Sequence, residues 1–233
     1  MGEKSRKARV VIRMDAQEEE VGPTSVEQAT ALIRRAIVTA EYRPGERLKV
    51  ADAARRFGFS AMPVREALRK LEGEGLVAIL PNRGAVIRPI DEKFLKDVYE
   101  VRTALETLAV QRLMPRITLA MLDELSALQA AHAAAVERAD LEEIIMANRA
   151  LHTRLFELAG NAEATRLFEL GWELIYALRR RLGYRPNRLA SVIEEHRLLV
   201  DALRRHDFAA CAAILRMHNT AGMEDMIASL SGE

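Results

Sequence analysis

Chain-breaking residues cut the stretch from Arg43 to Gly84 into pieces too short to fold alone. Pro44-Gly45 stops whatever comes before it, Gly58 supplies a left-handed turn position, and Pro81-Asn82-Arg83-Gly84 makes a turn. Ahead of these breaks, Val26, Ala29, Ile33, Ala36 and Ile37 keep helical spacing. Ser25 with Gln28 three residues on predicts a capping box for that helix. A short helix is predicted over Val50–Phe57, ending at Gly58. A third follows, capped by Ser60, with Pro63 in its first turn and its end near Glu72–Gly75. Leu76–Leu80 and Ala85–Pro89 are two β-prone runs around the proline–glycine turn, which predicts a hairpin. Helix, helix, tight turn, helix and hairpin in that order make a winged helix-turn-helix over residues 23–90.

The third helix carries the chemistry of this half. Val64, Ala67, Leu68 and Leu71 form one apolar stripe, and Ala61, Met62, Arg65 and Arg69 lie on the opposite side. The second helix of such a motif lies in the major groove with its N-terminal residues against base edges. Arg65, one turn in, can give two hydrogen bonds to guanine O6 and N7, and Arg69 falls nearer phosphate. Ser60 and the helix N-terminus offer donors to a further phosphate. Arg47 and the wing turn Asn82-Arg83-Gly84 complete the expected DNA-contact set, Arg83 reaching a minor groove or a phosphate. Solvated arginines on a helical domain are the plainer reading of any one of these residues; their agreement favours DNA.

Charge is divided along the chain in the same sense. Residues 23–90 hold 12 Lys/Arg against 7 Asp/Glu, and residues 91–233 hold 18 against 22, behind an overall charge of +1. Residues 1–22 balance five against five and lack periodicity, which reads as a mobile tail. Its basic cluster Lys4, Arg6, Lys7 and Arg9 either brushes nucleic acid or simply aids solubility. With 233 residues and 49% apolar content the chain can bury a core without staples. Its one cysteine, Cys211, rules out a disulfide framework and reads as a buried thiol. No apolar run nears the ~20 residues of a membrane span, so a cytoplasmic protein is expected.

From Asp91 the texture becomes helical and alanine-rich. Breaks near Pro115, Asp140, Gly160, Gly183–Pro186 and His206 predict six antiparallel helices over about 91–114, 117–138, 140–159, 161–182, 187–205 and 207–230. Residues 91–233 are therefore read as one helical bundle. His152, four residues after Asn148 on one helix face, lies on the third of these helices, His196 on the fifth and His218 on the sixth. Three imidazoles from facing helices can meet at a divalent ion and leave positions open; single histidines on helices are more often surface or satisfied core. Arg102 stands one turn before Glu106 on the same helix face, the spacing of a salt bridge. Trp172, Tyr176 and Arg179 share a face of the fourth bundle helix and either line a pocket or fill core.

Tyr42–Val86 resembles the N-terminal domain of GntR-family transcription regulators. The resemblance is carried by Pro44-Gly45-Glu46-Arg47-Leu48, Phe57-Gly58-Phe59-Ser60, Pro63–Leu68, Glu74-Gly75-Leu76-Val77 and Pro81–Ala85. It implies a homodimer on a short, roughly palindromic double-stranded operator. Ala61 stands where the family commonly has arginine, so one base or phosphate contact is missing; Ala51 likewise offers no polar group. Residues 94 to about 225 are similar to the FCD ligand-binding domain of the FadR subfamily, through Tyr99–Arg102, Leu105-Glu106, His152 to Asn161, Glu195-His196 and Met217-His218. The six-helix version looks like the VanR-type group. That resemblance implies a divalent metal, Zn or Ni, held by an aspartate and three histidines, which map to Asn148, His152, His196 and His218. Asn148 replaces the aspartate and removes its charge. It also implies that Arg102 faces a pocket and holds the carboxylate of a small organic acid effector, where the alternative is the salt bridge to Glu106; Tyr176 is placed with them in the effector set. His132 and His206 are expected to be exposed and are given no role. The function expected is a ligand-responsive regulator, by family tendency a repressor, of a metabolic operon. Two rivals are a metal-dependent enzyme tethered by its winged helix, and a winged helix that serves protein contacts.

Overall fold

The computed structural model describes residues 24–81 and 83–231. The charged N-terminal stretch and Asn82 of the wing turn lie outside the described residues.

Helix α1 spans Ser25–Val38, and its cap is Thr24 rather than Ser25. The Thr24 hydroxyl accepts from the Glu27 amide while the Glu27 carboxylate accepts from the Thr24 amide at 2.8 Å. Thr24 therefore has the charged acceptor that Ser25, paired with Gln28, would lack. Strand β1, Arg47–Leu48, is followed by α2 over Val50–Phe57 and α3 over Ala61–Gly73. Gly58 closes α2 in the left-handed region at φ 75°. The hairpin is β2, Val77–Leu80, and β3, Gly84–Ile87. β1 was not foreseen, since two residues carry no alternation. It pairs antiparallel with β3, Leu48 opposite Ala85, so the wing sheet runs β1-β3-β2. Gly84 makes that pairing possible: a Cβ there would sit 2.2 Å from the Leu48 carbonyl oxygen.

The apolar stripe of α3 is buried as its spacing requires. Val64, Ala67, Leu68 and Leu71 are at most 2% exposed and pack on Ile33 of α1 and Leu76. Full burial of a leucine or valine stabilises by about 1.5–3 kcal/mol, so this stripe alone fixes which side of α3 faces outward.

Six long helices follow: α4 (Glu92–Leu113), α5 (Leu119–Arg138), α6 (Leu141–Ala159), α7 (Ala162–Leu182), α8 (Arg188–Arg204) and α9 (Phe208–Ser231). A 3-10 turn, Met114–Arg116, joins α4 to α5. Asp91, Thr118, Asp140 and Asn161 each cap the helix they precede by accepting an amide hydrogen. Cys211 is buried between α8 and α9 packing residues, as expected of an inert thiol.

The two halves share one apolar core, which runs from α1 and α3 through Trp172 and Ile175 of α7 to Met226 of α9. A polar clamp reinforces it. Arg34 of α1 makes two bonds to Glu74 beyond α3, at 2.8 and 2.6 Å, and reaches Glu173 of α7 at 3.2 Å. Arg181 of α7 also donates to the Val38 carbonyl at the end of α1. Among the described residues no helix is long and apolar enough to cross a membrane.

Candidate DNA-reading face and buried ligand centre

With its apolar stripe inward, α3 turns Met62, Arg65 and Arg69 to solvent; Met62 is 66% exposed. Arg65 and Arg69 border a cleft with Arg47, Lys49, Arg83 and Gly84 of β1 and the wing. The cleft thus gathers five cations from three elements. Arg47 is held there by a 2.7 Å bond to the Arg83 carbonyl, and Arg69 leans on Glu66 at 2.7 Å. Ser60 precedes α3 in extended conformation but makes no side-chain capping bond, which leaves its hydroxyl available. Lys49 is the residue that sequence reasoning missed. It lies between β1 and α2, where no periodicity marks it, and only the β1–β3 pairing brings it to the cleft.

The second centre is inside the bundle. His152 of α6, His196 of α8 and His218 of α9 form a nearly equilateral triangle, with ring centroids 5.0 to 5.3 Å apart. One ring nitrogen from each lies within 4.8 Å of the others. His132 of α5 was expected at the surface, and the structure corrects this: it is 1% exposed, 5.0 Å from His196. Its neighbours are alanines, so the sequence around it has no polar face from which to tell inside from outside.

Hydrogen-bond partners are scarce here: of these rings only His218 has one, Glu195 at 2.7 Å from its Nδ1. Both nitrogens of His132, His152 and His196 are buried and make no hydrogen bond. Leaving a buried polar atom unsatisfied costs about 1–3 kcal/mol, so a cluster of them calls for a bound group. Burial, then the neighbouring imidazoles, keep His196 well below the ordinary histidine range. Burial pushes His132 down to about 4, and His218 down to about 4 despite the opposing Glu195 bond. A ring kept below its ordinary range presents a lone pair, and converging imidazoles are what a borderline divalent ion takes. The residues present therefore fit a metal. Asn148, one turn before His152, lines the adjoining cavity and adds an amide oxygen with no charge.

That cavity is about 30 Å³ and is lined by Tyr99, Arg102, Trp172, Arg179, Tyr184, Arg188, His218 and Asn219 besides Asn148. Three buried arginines reach it, each differently bound. Arg179 pairs with Asp225 and also donates to the Gly222 carbonyl, so its fork is used up in holding α7 to α9. Arg188 forks onto Glu195 at 2.7 and 3.0 Å. Arg102 bonds Glu106 through Nε alone, at 3.1 Å, and stacks over Phe168 and Trp172. The pairing with Glu106 and the position at the cavity wall both hold for Arg102. Burial alone would raise the Glu106 carboxyl; Arg102 first, then His152, outweigh it and hold Glu106 below the usual carboxylate range. Trp172 is core, 2% exposed, and also cavity wall. Tyr176 lies away from this wall, its hydroxyl turned to Glu142; Tyr99 and Tyr184 take the aromatic positions instead. Arg188 and Glu195 were legible in part, because seven residues on a helix return to the same face.

The chain matches the FCD domain over residues 97–221 and the bacterial regulatory proteins, gntR family, over residues 25–87. It is 27% identical over 187 residues to the HTH-type transcriptional regulator YdhC of Bacillus subtilis (strain 168), covering 80% of this chain and 84% of that one. An HTH-type regulator in the TAR-I ttuE-ttuC' intergenic region of Agrobacterium vitis is 36% identical over 143 residues, 58% of this chain and 80% of that protein. The solved structure of E. coli McbR/YncC matches with a TM-score of 0.64 at 25% identity, covering 90% of this chain and 98% of that one. These families and relatives regulate transcription and are not enzymes, which sets aside a tethered metalloenzyme. The chain belongs to the gntR family of bacterial regulatory proteins in its FadR-type form, a DNA-binding helix-turn-helix followed by an FCD domain, and it is a transcriptional regulator.

Proposed function

We propose that the protein is a cytoplasmic, homodimeric repressor of a metabolic operon, released or tightened on its operator by a small carboxylate. The observation that carries this reading is the juxtaposition of three buried, converging imidazoles with a cavity to which Arg102 presents a half-used fork. His152, His196 and His218 would hold a divalent ion, Zn or Ni, with Asn148 beside them. The ion supplies a Lewis-acid point to which an anion can bind. Asn148 leaves the ion's charge uncompensated, and the effector's carboxylate offsets it while Arg102 takes the same group through its free Nη donors.

The size of the cavity supplies the mechanism of response. A space of about 30 Å³ holds little more than water, so a carboxylate must part the helices to enter. Trp172 and Arg179 place α7 on the wall of that cavity, and Glu173 and Arg181 tie the same helix to α1. An effector that displaces α7 shifts the winged helix through Arg34. Coupling of this kind is typically 1–3 kcal/mol, or about 5- to 150-fold in operator affinity. On the DNA side, Arg65 reads a guanine, Met62 packs on a base edge, and Arg47, Lys49, Ser60, Arg69, Asn82, Arg83 and Gly84 meet the backbone. The dimer sets the spacing of two half-sites one helical turn or more apart.

A gel-shift with the DNA upstream of the protein's own gene tests the reading, run with and without Zn²⁺ and a panel of small organic acids. Specific retardation that an acid alters in the presence of metal supports it. Indifference to that DNA at low ionic strength, under every one of these conditions, would overturn it.

A further inference from the structure

Each of two metal-facing histidines is backed by a buried glutamate, and each glutamate is shared with a cavity arginine. On one side Glu195 Oε2 is 2.7 Å from His218 Nδ1, while Arg188 holds both oxygens of the same carboxylate. On the other, Glu106 Oε1 is 2.8 Å from His152 Nδ1, close but out of line for a hydrogen bond, and takes the Arg102 Nε bond. Asn219 fixes the second Glu106 oxygen at 2.6 Å. The two chains of contact, Arg102–Glu106–His152 and Arg188–Glu195–His218, come from α4 with α6 and from α8 with α9. They end on one side at the cavity and on the other at the histidine triangle. All six residues are at most 8% exposed.

We propose that Glu106 and Glu195 are positioning residues that make anion binding and metal binding reinforce each other. This rests on the metal reading above. At His218 the bonded Glu195 carboxylate keeps the proton on Nδ1 and leaves Nε2 as the lone pair, which fixes the tautomer a metal needs and makes the ring a better donor; at His152 the Glu106 carboxylate, 2.8 Å from Nδ1, acts on the ring through its charge. The arginine competes for that carboxylate's charge. An anion in the cavity draws Arg102 and Arg188 away from their glutamates, and each glutamate then acts more fully on its histidine. Metal on the histidines makes Nδ1–H more acidic, draws the glutamate toward the ring and frees the arginine for the anion. Linkage requires the two effects to be equal in binding free energy. This arrangement also gives the three histidines two negative charges at one remove, where Asn148 gives none.

The test is a titration of the full-length, metal-free protein with Co²⁺, read by its visible spectrum and by calorimetry, with and without acetate. Outer partners of a metal-bound histidine are worth about 10- to 100-fold in affinity, so E195Q and E106Q should each weaken Co²⁺ by that much. R188M should do the opposite and tighten Co²⁺, because it releases Glu195 to His218. Acetate should tighten Co²⁺ in the native protein and lose that effect in E195Q. A merely structural role would weaken binding in E195Q and R188M alike, and that result overturns the proposal, as would unchanged affinity in both. R102M with E106Q repeats the sign comparison on the α4 side, so misfolding of one variant, seen by circular dichroism, leaves the other pair to decide. If the native protein takes up no Co²⁺, the metal reading fails and this inference with it. If the native protein binds, H196A does not, and the glutamate variants bind like native, only this inference fails.

Discussion

The arginines of the two halves live under opposite conditions. On the winged helix, Arg65 and Arg69 stand in solvent on the face away from the α3 stripe, Arg69 held only by a surface pair to Glu66 whose side chains are 69% and 39% exposed. In the bundle, Arg102, Arg179 and Arg188 are at most 8% exposed and each has a buried carboxylate. An exposed charge costs little to keep and interacts over a distance that salt shortens, which suits a polyanion met at many points. A buried charge is expensive unless paired, so its partner is part of the structure and its geometry is fixed. The same residue type therefore serves reach on one surface and discrimination in one cavity. Arg34 is the instructive intermediate. It is buried like the bundle arginines but belongs to the winged helix, and its partners Glu74 and Glu173 come from both halves.

Breaking that intermediate should have the largest effect. Arg34→Ala leaves Glu74, whose side chain is 4% exposed, without its partner. Removal of one member of a buried pair typically costs about 3–5 kcal/mol, so a clear fall in denaturation midpoint by urea titration is expected. A midpoint within error of native would show that the junction is held by apolar packing alone.

His196→Ala should follow in size. Loss of one of three ligands should weaken Zn²⁺ or Ni²⁺ by at least the roughly 100-fold that outer partners alone can cost. Calorimetric titration measures this, and the metal-free protein should stay folded. Next comes Arg65→Ala, which should cost about 1–3 kcal/mol at the cognate operator. Fluorescence anisotropy should then show residual binding that is strongly salt-dependent and blind to sequence. Cognate affinity left intact would move the reading element elsewhere. The smallest effect is expected for Arg69→Ala: a modest and uniform loss on all duplexes, with the salt slope lowered by about one. If Arg69→Ala instead altered sequence preference, the division between Arg65 as reader and Arg69 as anchor would have to be redrawn.

The elements themselves were largely written in local signals. Gly58, the proline–glycine breaks and the α3 stripe gave α2, α3 and the hairpin within about two residues, and short polar breaks gave all six bundle helices. These signals work because turns and amphipathic stripes are decided by neighbours in the chain. Local reading failed where the deciding partner is distant. β1 exists only because β3 is beside it, and the α1 cap moved to Thr24 because Glu27 answers it. His132 was placed outside because the alanines around it give no polar face, yet it is buried against His196 of α8.

What the sequence by itself determined is the order of elements, the outward face of α3 and the candidate histidines, since periodicity and spacing fix which residues share a face. It could not determine that three of those rings converge while a fourth stands behind one of them, that Tyr176 turns to Glu142, or that Lys49 joins the cleft. Nor could it pair Arg34 with Glu173, 139 positions later, or set Glu106 and Glu195 between cavity arginines and histidines. Those relations depend on how helices are packed and rotated against one another, and a helix's rotation is settled by the summed burial of all its neighbours rather than by its own residues.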